Sequence, residues 1–221
     1  VGTKKKLANK WQLDIGNFNV ILMDGSTKGL LSYGITVKID KLFINSSVTS
    51  EDSAINLLYS ANWIVNEAHI MSGNNYAISA KTAEGEKPTL KFGKIFINGP
   101  KGKGIELWGA DASIDYLEAN TVQGNVLKIY STSNQLVTVQ NFISRNSGEE
   151  QIISISDYGF QPLLRIDHLF VTDDRVSKVD SILNLYTQKA VDGIEINSIL
   201  NYDRVKVLSF GPTVTNKQIS F

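Results

Sequence analysis

The sequence contains no cysteine and only two histidines, His69 and His168, in 221 residues. Without cysteine the chain can form neither disulfides nor thiolate-bound metal sites. Two histidines are also too few for the common imidazole-rich zinc sites. The sequence therefore predicts a protein that holds no metal and no other cofactor.

The chain also lacks net charge, because 22 basic residues balance 22 acidic ones. Binding to nucleic acid or to an anionic membrane depends on excess positive charge, so we expect neither partner. No apolar run reaches the length of about 18 residues that a membrane-spanning helix needs, so we expect no membrane insertion. The sequence shows no signal peptide, and because it begins with Val1 we expect it to be a fragment or a processed product.

What the sequence does contain is a six-residue pattern that recurs eight times. In the copy at residues 37–42, Val37 and Ile39 are two residues apart, Asp40 is a turn-forming residue, and Leu42 restores the apolar pattern. Steps of 24, 26, 27, 22, 25, 27 and 30 residues separate the eight anchors Ile15, Ile39, Val65, Phe92, Ile114, Val139, Ile166 and Ile196. A period in this range is typical of solenoids and other repeat proteins.

Each copy places alternating apolar residues on both sides of one special residue, as two short strands that meet at a corner would. Glycine, asparagine and aspartate tolerate the left-handed backbone conformation at the least cost. We therefore predict positive backbone φ angles at most of the corners Asp40, Asn66, Asp115, Asp167 and Asn197.

A third short apolar strand follows each corner after a polar loop of variable length. These strands begin at Leu31, Ile55, Ile78, Ile105, Leu127, Ile153 and Leu183. Three parallel strands per turn, stacked in register, define a β-helix. The sequence predicts an all-β, right-handed parallel β-helix of about eight coils over residues 11–208. Residues 1–10 are predicted to be a lead-in or the end of a preceding region, and residues 209–221 a terminal strand or the start of a further region.

The third strands of the later coils carry polar and aromatic residues at outward positions. One predicted column reads Glu106, Lys128, Ser154 and Asn184, and the next reads Trp108, Tyr130, Ser156 and Tyr186. Asp111, Asp157 and Tyr158 are expected along one rim of the same face. Sugars stack on aromatic rings and bond to amides and charged groups. The predicted substrate-binding residues are accordingly Trp108, Tyr130, Tyr158, Tyr186, Lys128, Asn184 and Asp111.

The eight corners, the three-strand coils and stretches such as Phe142 to Gly148 resemble the right-handed parallel β-helix of the pectin-lyase-like group, and most of all bacteriophage tailspike and appendage proteins. The resemblance implies a homotrimer on the virion tail or outside the cell that binds, and in many members hydrolyses, a bacterial surface polysaccharide. The calcium-dependent lyases of the group are disfavoured, because the arginines are dispersed at Arg145, Arg165, Arg175 and Arg204.

Whether the chain is an enzyme stays open at this point. Glycoside hydrolysis needs two carboxyl groups roughly 5 to 9.5 Å apart, and the predicted catalytic pair, Glu106 and Asp157, belongs to coils two steps apart, or about 9–10 Å. Glu106 and Lys128 are alternatively a surface ion pair, and the aromatic column is alternatively part of the fold's own stability. A non-enzymatic structural or adhesive shaft of a virion fibre is the main functional alternative, and a cell-wall polysaccharide lyase or hydrolase of the same fold is a further one.

Overall fold

A computed structural model of the chain describes residues 12–22, 29–46, 53–71, 73, 75–99, 101–148, 151–157, 160, 162–175, 180–186, 193–202 and 205–210. The predicted lead-in at residues 1–10 lies outside these residues, as do residues 211–221 of the predicted terminal region. Sixteen strands make up the regular structure: β1 (Gln12–Leu22), β2 (Leu30–Tyr33), β3 (Thr36–Ser46), β4 (Ile55–Leu58), β5 (Asn62–Met71), β6 (Tyr76–Lys81), β7 (Thr89–Asn98), β8 (Lys103–Trp108), β9 (Asp111–Asn120), β10 (Leu127–Ser131), β11 (Gln135–Arg145), β12 (Gln151–Asp157), β13 (Pro162–Thr172), β14 (Ser181–Leu185), β15 (Ile194–Asn201) and β16 (Leu208–Phe210).

The strands form two parallel sheets of eight strands each. The odd-numbered strands make the longer sheet and the even-numbered strands the shorter one, each in the order of the chain. The chain therefore alternates between the sheets and adds one strand to each per coil. This is an all-β parallel β-solenoid, which confirms the predicted fold class.

The repeat also predicted the register between the coils. Ile15 pairs with Ile39, Ile39 with Val65, and the same pairing continues through the remaining anchors to Ile196. In the shorter sheet Ile55 pairs with Ile78, and the other predicted strand starts from Ile105 to Leu183 follow in line. The first strand was predicted one residue late, since Leu30, not Leu31, pairs with Ile55.

The predicted corners exist, but their geometry differs from the prediction. In β3 the buried positions are Val37 and Ile39 before the corner and Leu42 and Ile44 after it, so two adjacent residues face solvent at Asp40. The strand thus bends by skipping one residue, and the pairing between coils omits that residue. Two of the three predicted strands per coil are therefore one long bent strand.

The prediction of positive φ angles at Asp40, Asn66, Asp115, Asp167 and Asn197 was wrong. In the described residues the left-handed positions lie at strand ends instead, among them Gly34 after β2, Gly109 after β8 and Asn146 after β11. A bend inside one extended strand keeps β-region angles, whereas a sharp change of direction between strands requires the left-handed region.

Side-chain hydrogen bonds between coils explain why amides and carboxylates recur at the corners. The Asn66 amide donates to Asp40 Oδ1 at 3.0 Å, and the Asn197 amide donates to Asp167 Oδ1 at 3.0 Å. Gly93 occupies the corner next to Asn66 for a different reason. A Cβ at Gly93 would lie 2.5 Å from the Asn66 carbonyl oxygen, so the close approach of two backbones excludes a side chain.

The core is a set of columns in which the anchors of successive coils lie on one another between the two sheets. The anchors from Ile39 to Ile166 are at most 2% exposed, and the facing residues Ile55, Ile78, Ile105, Leu127, Ile153 and Leu183 are fully buried. Burial of one such side chain contributes about 1.5–3 kcal/mol. Because successive residues of a strand point to opposite faces of its sheet, the buried columns also determine which residues point outward.

We predict that Gly93→Ala lowers the free energy of unfolding by about 1–3 kcal/mol, because the new methyl group has to displace backbone rather than a mobile side chain. Chemical denaturation measures the loss. Gly16→Ala is the matched control, since Gly16 lies at the first corner and a Cβ there would meet nothing within 4 Å. Equal effects of the two substitutions would contradict the proposed close approach.

Candidate functional site

The two predicted outward columns lie side by side on the shorter sheet. Lys128 pairs with Glu106 on one side and with Ser154 on the other, and Ser154 pairs with Asn184. In the neighbouring column Tyr130 pairs with Trp108 and with Ser156. Tyr186 follows β14, where its backbone N–H donates to the Ile155 carbonyl at 3.0 Å. The structure thus brings most of the predicted residues together.

The first column is more buried than the sequence suggested. Glu106 is 6% exposed and Asn184 8% exposed, while Lys128 is only half-buried. The Glu106 carboxylate accepts a hydrogen bond from Ser79 Oγ at 3.1 Å and lies 3.3 Å from Lys81 Nζ. Glu106 is therefore ion-paired, as the structural alternative expected, but its partner is Lys81 rather than Lys128.

The charge of Glu106 also affects a neighbouring tyrosine. Burial, together with the Glu106 carboxylate, raises the pKa of Tyr76 well above its ordinary value. The neutral Tyr76 phenol and the Lys81–Glu106 ion pair thus interact with each other on the outer side of the sheet. Such an arrangement joins adjacent coils and keeps the Glu106 side chain buried.

The aromatic column is held together by contacts along the solenoid axis. The rings of Trp108 and Tyr130 stack with centroids 3.8 Å apart and an angle of 19° between their planes. Lys81 Nζ lies 5.2 Å from the Trp108 ring, and Lys128 Nζ lies 5.0 Å from the Tyr130 ring. The stack covers one face of each ring, and that face is closed to a sugar.

The register does not bring the predicted catalytic residues together. Asp157 pairs with Ser131, whereas Glu106 pairs with Lys128, three positions earlier on the same strand. Three residues along a strand and two strands across a sheet each amount to roughly 10 Å, so the two backbones are roughly 14 Å apart. Nothing is described of the Asp157 side chain, and Tyr158 lies outside the described residues.

Asp111 belongs to the other sheet. It is the first residue of β9 and pairs with Thr89 in the longer sheet. Its carboxylate lies 2.8 Å from Lys87 Nζ and accepts a hydrogen bond from the Leu136 N–H at 2.8 Å. Asp111 thus stabilises the turn between the two sheets. That turn separates it from the predicted face on the shorter sheet.

Sequence reasoning missed a second surface, which lies on the longer sheet beyond the corners. We call it the long-sheet outer face and define it by the outward positions in the second halves of the odd-numbered strands. Phe43, His69 and Phe96 form one column, with ring centroids 5.1 and 4.7 Å apart and nearly parallel planes. Their sequence steps equal those of the anchors, so the repeat itself could have revealed the column.

Exposed apolar residues concentrate on this long-sheet outer face. Ile21 is 75% exposed and Met71 49% exposed in the column next to the rings, and Phe43 is 39% exposed. Leu200 lies at the far end of the ring column and is 53% exposed. Ile21, Phe43 and Met71 lie on three neighbouring strands, so they form one exposed apolar group near one end of this face.

A polar cluster occupies the middle of the long-sheet outer face. The Glu118 carboxylate accepts hydrogen bonds from Tyr116 Oη at 2.6 Å, from the Asn120 amide at 3.3 Å and from Arg145 Nε at 3.2 Å. Burial alone would raise the pKa of Glu118, but these hydrogen bonds outweigh it and lower the pKa. Burial and Glu118 raise the pKa of Tyr116 to about 12. The cluster satisfies its own charges, which favours a structural role.

The part of the chain that the structure describes shows neither a cluster of metal ligands nor a membrane-spanning helix. No group of three or more histidine, aspartate or glutamate side chains in this part of the chain is arranged to hold a metal ion. The same residues include no helix that is long and apolar enough to cross a membrane.

Comparisons with known proteins leave the fold as the basis for any functional proposal. No protein-family model matches the chain, and neither a curated protein nor a solved structure gives a significant match.

We predict that the Trp108–Tyr130 stack stabilises the solenoid. A double-mutant cycle of Trp108→Ala and Tyr130→Ala should give a coupling energy of about 0.5–1.5 kcal/mol in chemical denaturation, because only the pair makes the stacking contact. The sequence alone had suggested instead that both residues bind the substrate. Strictly additive effects of the two substitutions would contradict the structural role.

We also predict an alkaline stability loss that depends on Tyr116. Its raised pKa favours the neutral phenol in the folded state, so this contribution is complete below pH 10, the ordinary pKa, and disappears as the pH rises toward about 12. Melting temperatures between pH 9 and pH 12 should therefore fall more steeply in the parent protein than in Tyr116→Phe. Parallel curves for the two proteins would show that Tyr116 does not titrate as inferred.

Proposed function

We propose that the protein is a tailspike-like β-solenoid that binds a bacterial surface polysaccharide. The observation that supports this most is the long-sheet outer face, where the stacked rings of Phe43, His69 and Phe96 lie beside a column that alternates aliphatic side chains with amides. Coils repeat about every 4.8 Å, and a polysaccharide is likewise a repeating chain of rings with apolar C–H faces and polar edges. A rigid surface with such columns suits a ligand of this kind.

The protein is proposed to bind the polysaccharide without cleavage by Glu106 and Asp157. Glu106 is engaged by Lys81 and Ser79, and the register separates it from Asp157. Hydrolysis requires two carboxyl groups that reach the same glycosidic bond. The proposed homotrimeric state and the location on a virion tail or outside the cell rest on the resemblance in sequence pattern.

A non-enzymatic shaft is the second candidate, and the axial contacts favour it. The Trp108–Tyr130 stack, the Lys81–Glu106 ion pair and the bonds between corner residues all join one coil to the next. Contacts of this kind stiffen the stack along its axis. A shaft needs such stiffness and no binding surface of its own.

Binding and cleavage can be measured on the same samples. The 221-residue chain should be retained by at least one capsular polysaccharide or lipopolysaccharide in a panel of bacterial strains, and it should release no reducing ends. Glu106→Gln and Asp157→Asn should leave retention unchanged, with circular dichroism to confirm folding. Release of reducing ends that both substitutions abolish would establish a hydrolase, and retention by none of the polysaccharides would support the shaft.

A further inference from the structure

An open depression of about 440 Å³ lies on the long-sheet outer face, across β1, β3, β5 and β7. Its volume falls within the range of small-molecule sites in proteins. The four strands cover three spacings, or about 14 Å along the axis. Apolar side chains and amides line it together: Ile21, Phe43 and Met71 on the one hand, and Asn19, Asn45 and Asn98 on the other.

The three amides are available to a ligand. Asn19, Asn45 and Asn98 are exposed, and their side chains make no hydrogen bond to any other residue that the structure describes. Two other amides on the longer sheet are hydrogen-bonded to side chains. Asn120, which follows Asn98 in the same column, donates to Glu118, and Asn66 donates to Asp40.

An aromatic ring marks one side of the depression. Phe43 ends the ring column, because its neighbour in β1 is Asn19 rather than another aromatic residue. The opposite side of the Phe43 ring stacks on His69. Phe43, Ile21 and Met71 together form an apolar surface beside the amides. The depression therefore has one apolar and one hydrogen-bonding part.

Among the residues that the structure describes, those lining the depression include no lysine, arginine, aspartate or glutamate. Its one titratable group, His69, lies between Phe43 and Phe96, and its Nε2 is 2.9 Å from Glu67 Oε1. A carboxylate or phosphate on a ligand would therefore find no cation in the lining to replace its lost hydration. The depression is suited to a ligand without charge.

We infer that this depression is a binding site for an uncharged saccharide segment. The apolar C–H face of a sugar ring packs on Phe43, Ile21 and Met71, and its hydroxyl groups bond to the amides, each of which both donates and accepts. The inference rests on the proposed function and makes it narrower, since it names the site and the class of sugar. It places recognition on the opposite sheet from the predicted Trp108–Tyr130 column.

The test uses the 221-residue chain and a panel of oligosaccharides built from neutral hexoses, 6-deoxyhexoses and N-acetylhexosamines. Oligosaccharides of matched length that contain uronic or sialic acid form the charged arm. A glycan array ranks the panel, and titration calorimetry on the best neutral ligand measures affinity. Asn45→Ala and Asn98→Ala should each weaken binding by about two- to tenfold, the loss of one hydrogen bond.

Asn134→Ala is the matched control, because Asn134 is exposed in the turn between β10 and β11, far along the chain from the depression. It should leave affinity unchanged, and all three variants should keep the unfolding midpoint of the parent. Ile21→Ala removes part of the apolar surface of the depression without removing a hydrogen bond, and it should also weaken binding.

Each remaining outcome overturns the site inference in a distinguishable way. Normal affinity in the Asn45 and Asn98 variants, with loss in Trp108→Ala, would leave polysaccharide binding in place but move the site to the shorter sheet. Stronger binding of the charged oligosaccharides would refute the inference that the ligand is uncharged. Absence of binding to every oligosaccharide and to the strain polysaccharides would refute both the site and the proposed function.

Discussion

Stacking of each coil on the next in one register is the constraint on which the whole molecule depends. Parallel pairing satisfies the backbone of each strand only through its neighbours in the adjacent coils, so no coil is stable alone. The same pairing places Ile39 on Val65 and Val65 on Phe92, which fills the interior with continuous columns. Steps between coils vary, because turns and loops outside the paired strands absorb the extra residues.

The register also decides what an outward side chain meets first. At about 4.8 Å the nearest neighbour of a surface residue is the corresponding residue of the next coil. Trp108 therefore meets Tyr130, Glu106 meets Ser79, and Asn66 meets Asp40. Axial contacts of this kind engage side chains that the sequence alone suggested for function, so a binding site is expected where the axial contacts are incomplete.

The long-sheet outer face illustrates this reasoning. Its ring column ends at Phe43. In the next column Asn45 lies between Ile21 and Met71, while Asn98 lies between Met71 and Asn120, whose amide donates to Glu118. An amide between two apolar neighbours has no axial partner for its hydrogen bonds. The depression across β1 to β7 thus combines unused hydrogen-bonding capacity with apolar surface, while the Glu118 cluster further along the same face is saturated by Tyr116 and Arg145.

The sequence by itself determined the fold, the pairing of the anchors and the positions of the bends, because hydrophobic alternation and a repeat of 22 to 30 residues depend only on the order of residues. It predicted which residues share the columns of Glu106 and of Trp108 for the same reason. It could not predict the backbone angles at Asp40, since a bent strand and a left-handed corner favour the same residue types. Only the tertiary structure decided that Lys81 pairs with Glu106, that Trp108 and Tyr130 cover each other, and that Asn45 and Asn98 stay unpaired within the described part of the chain. These outcomes depend on side-chain directions and on distances between coils, which are fixed only when the coils stack.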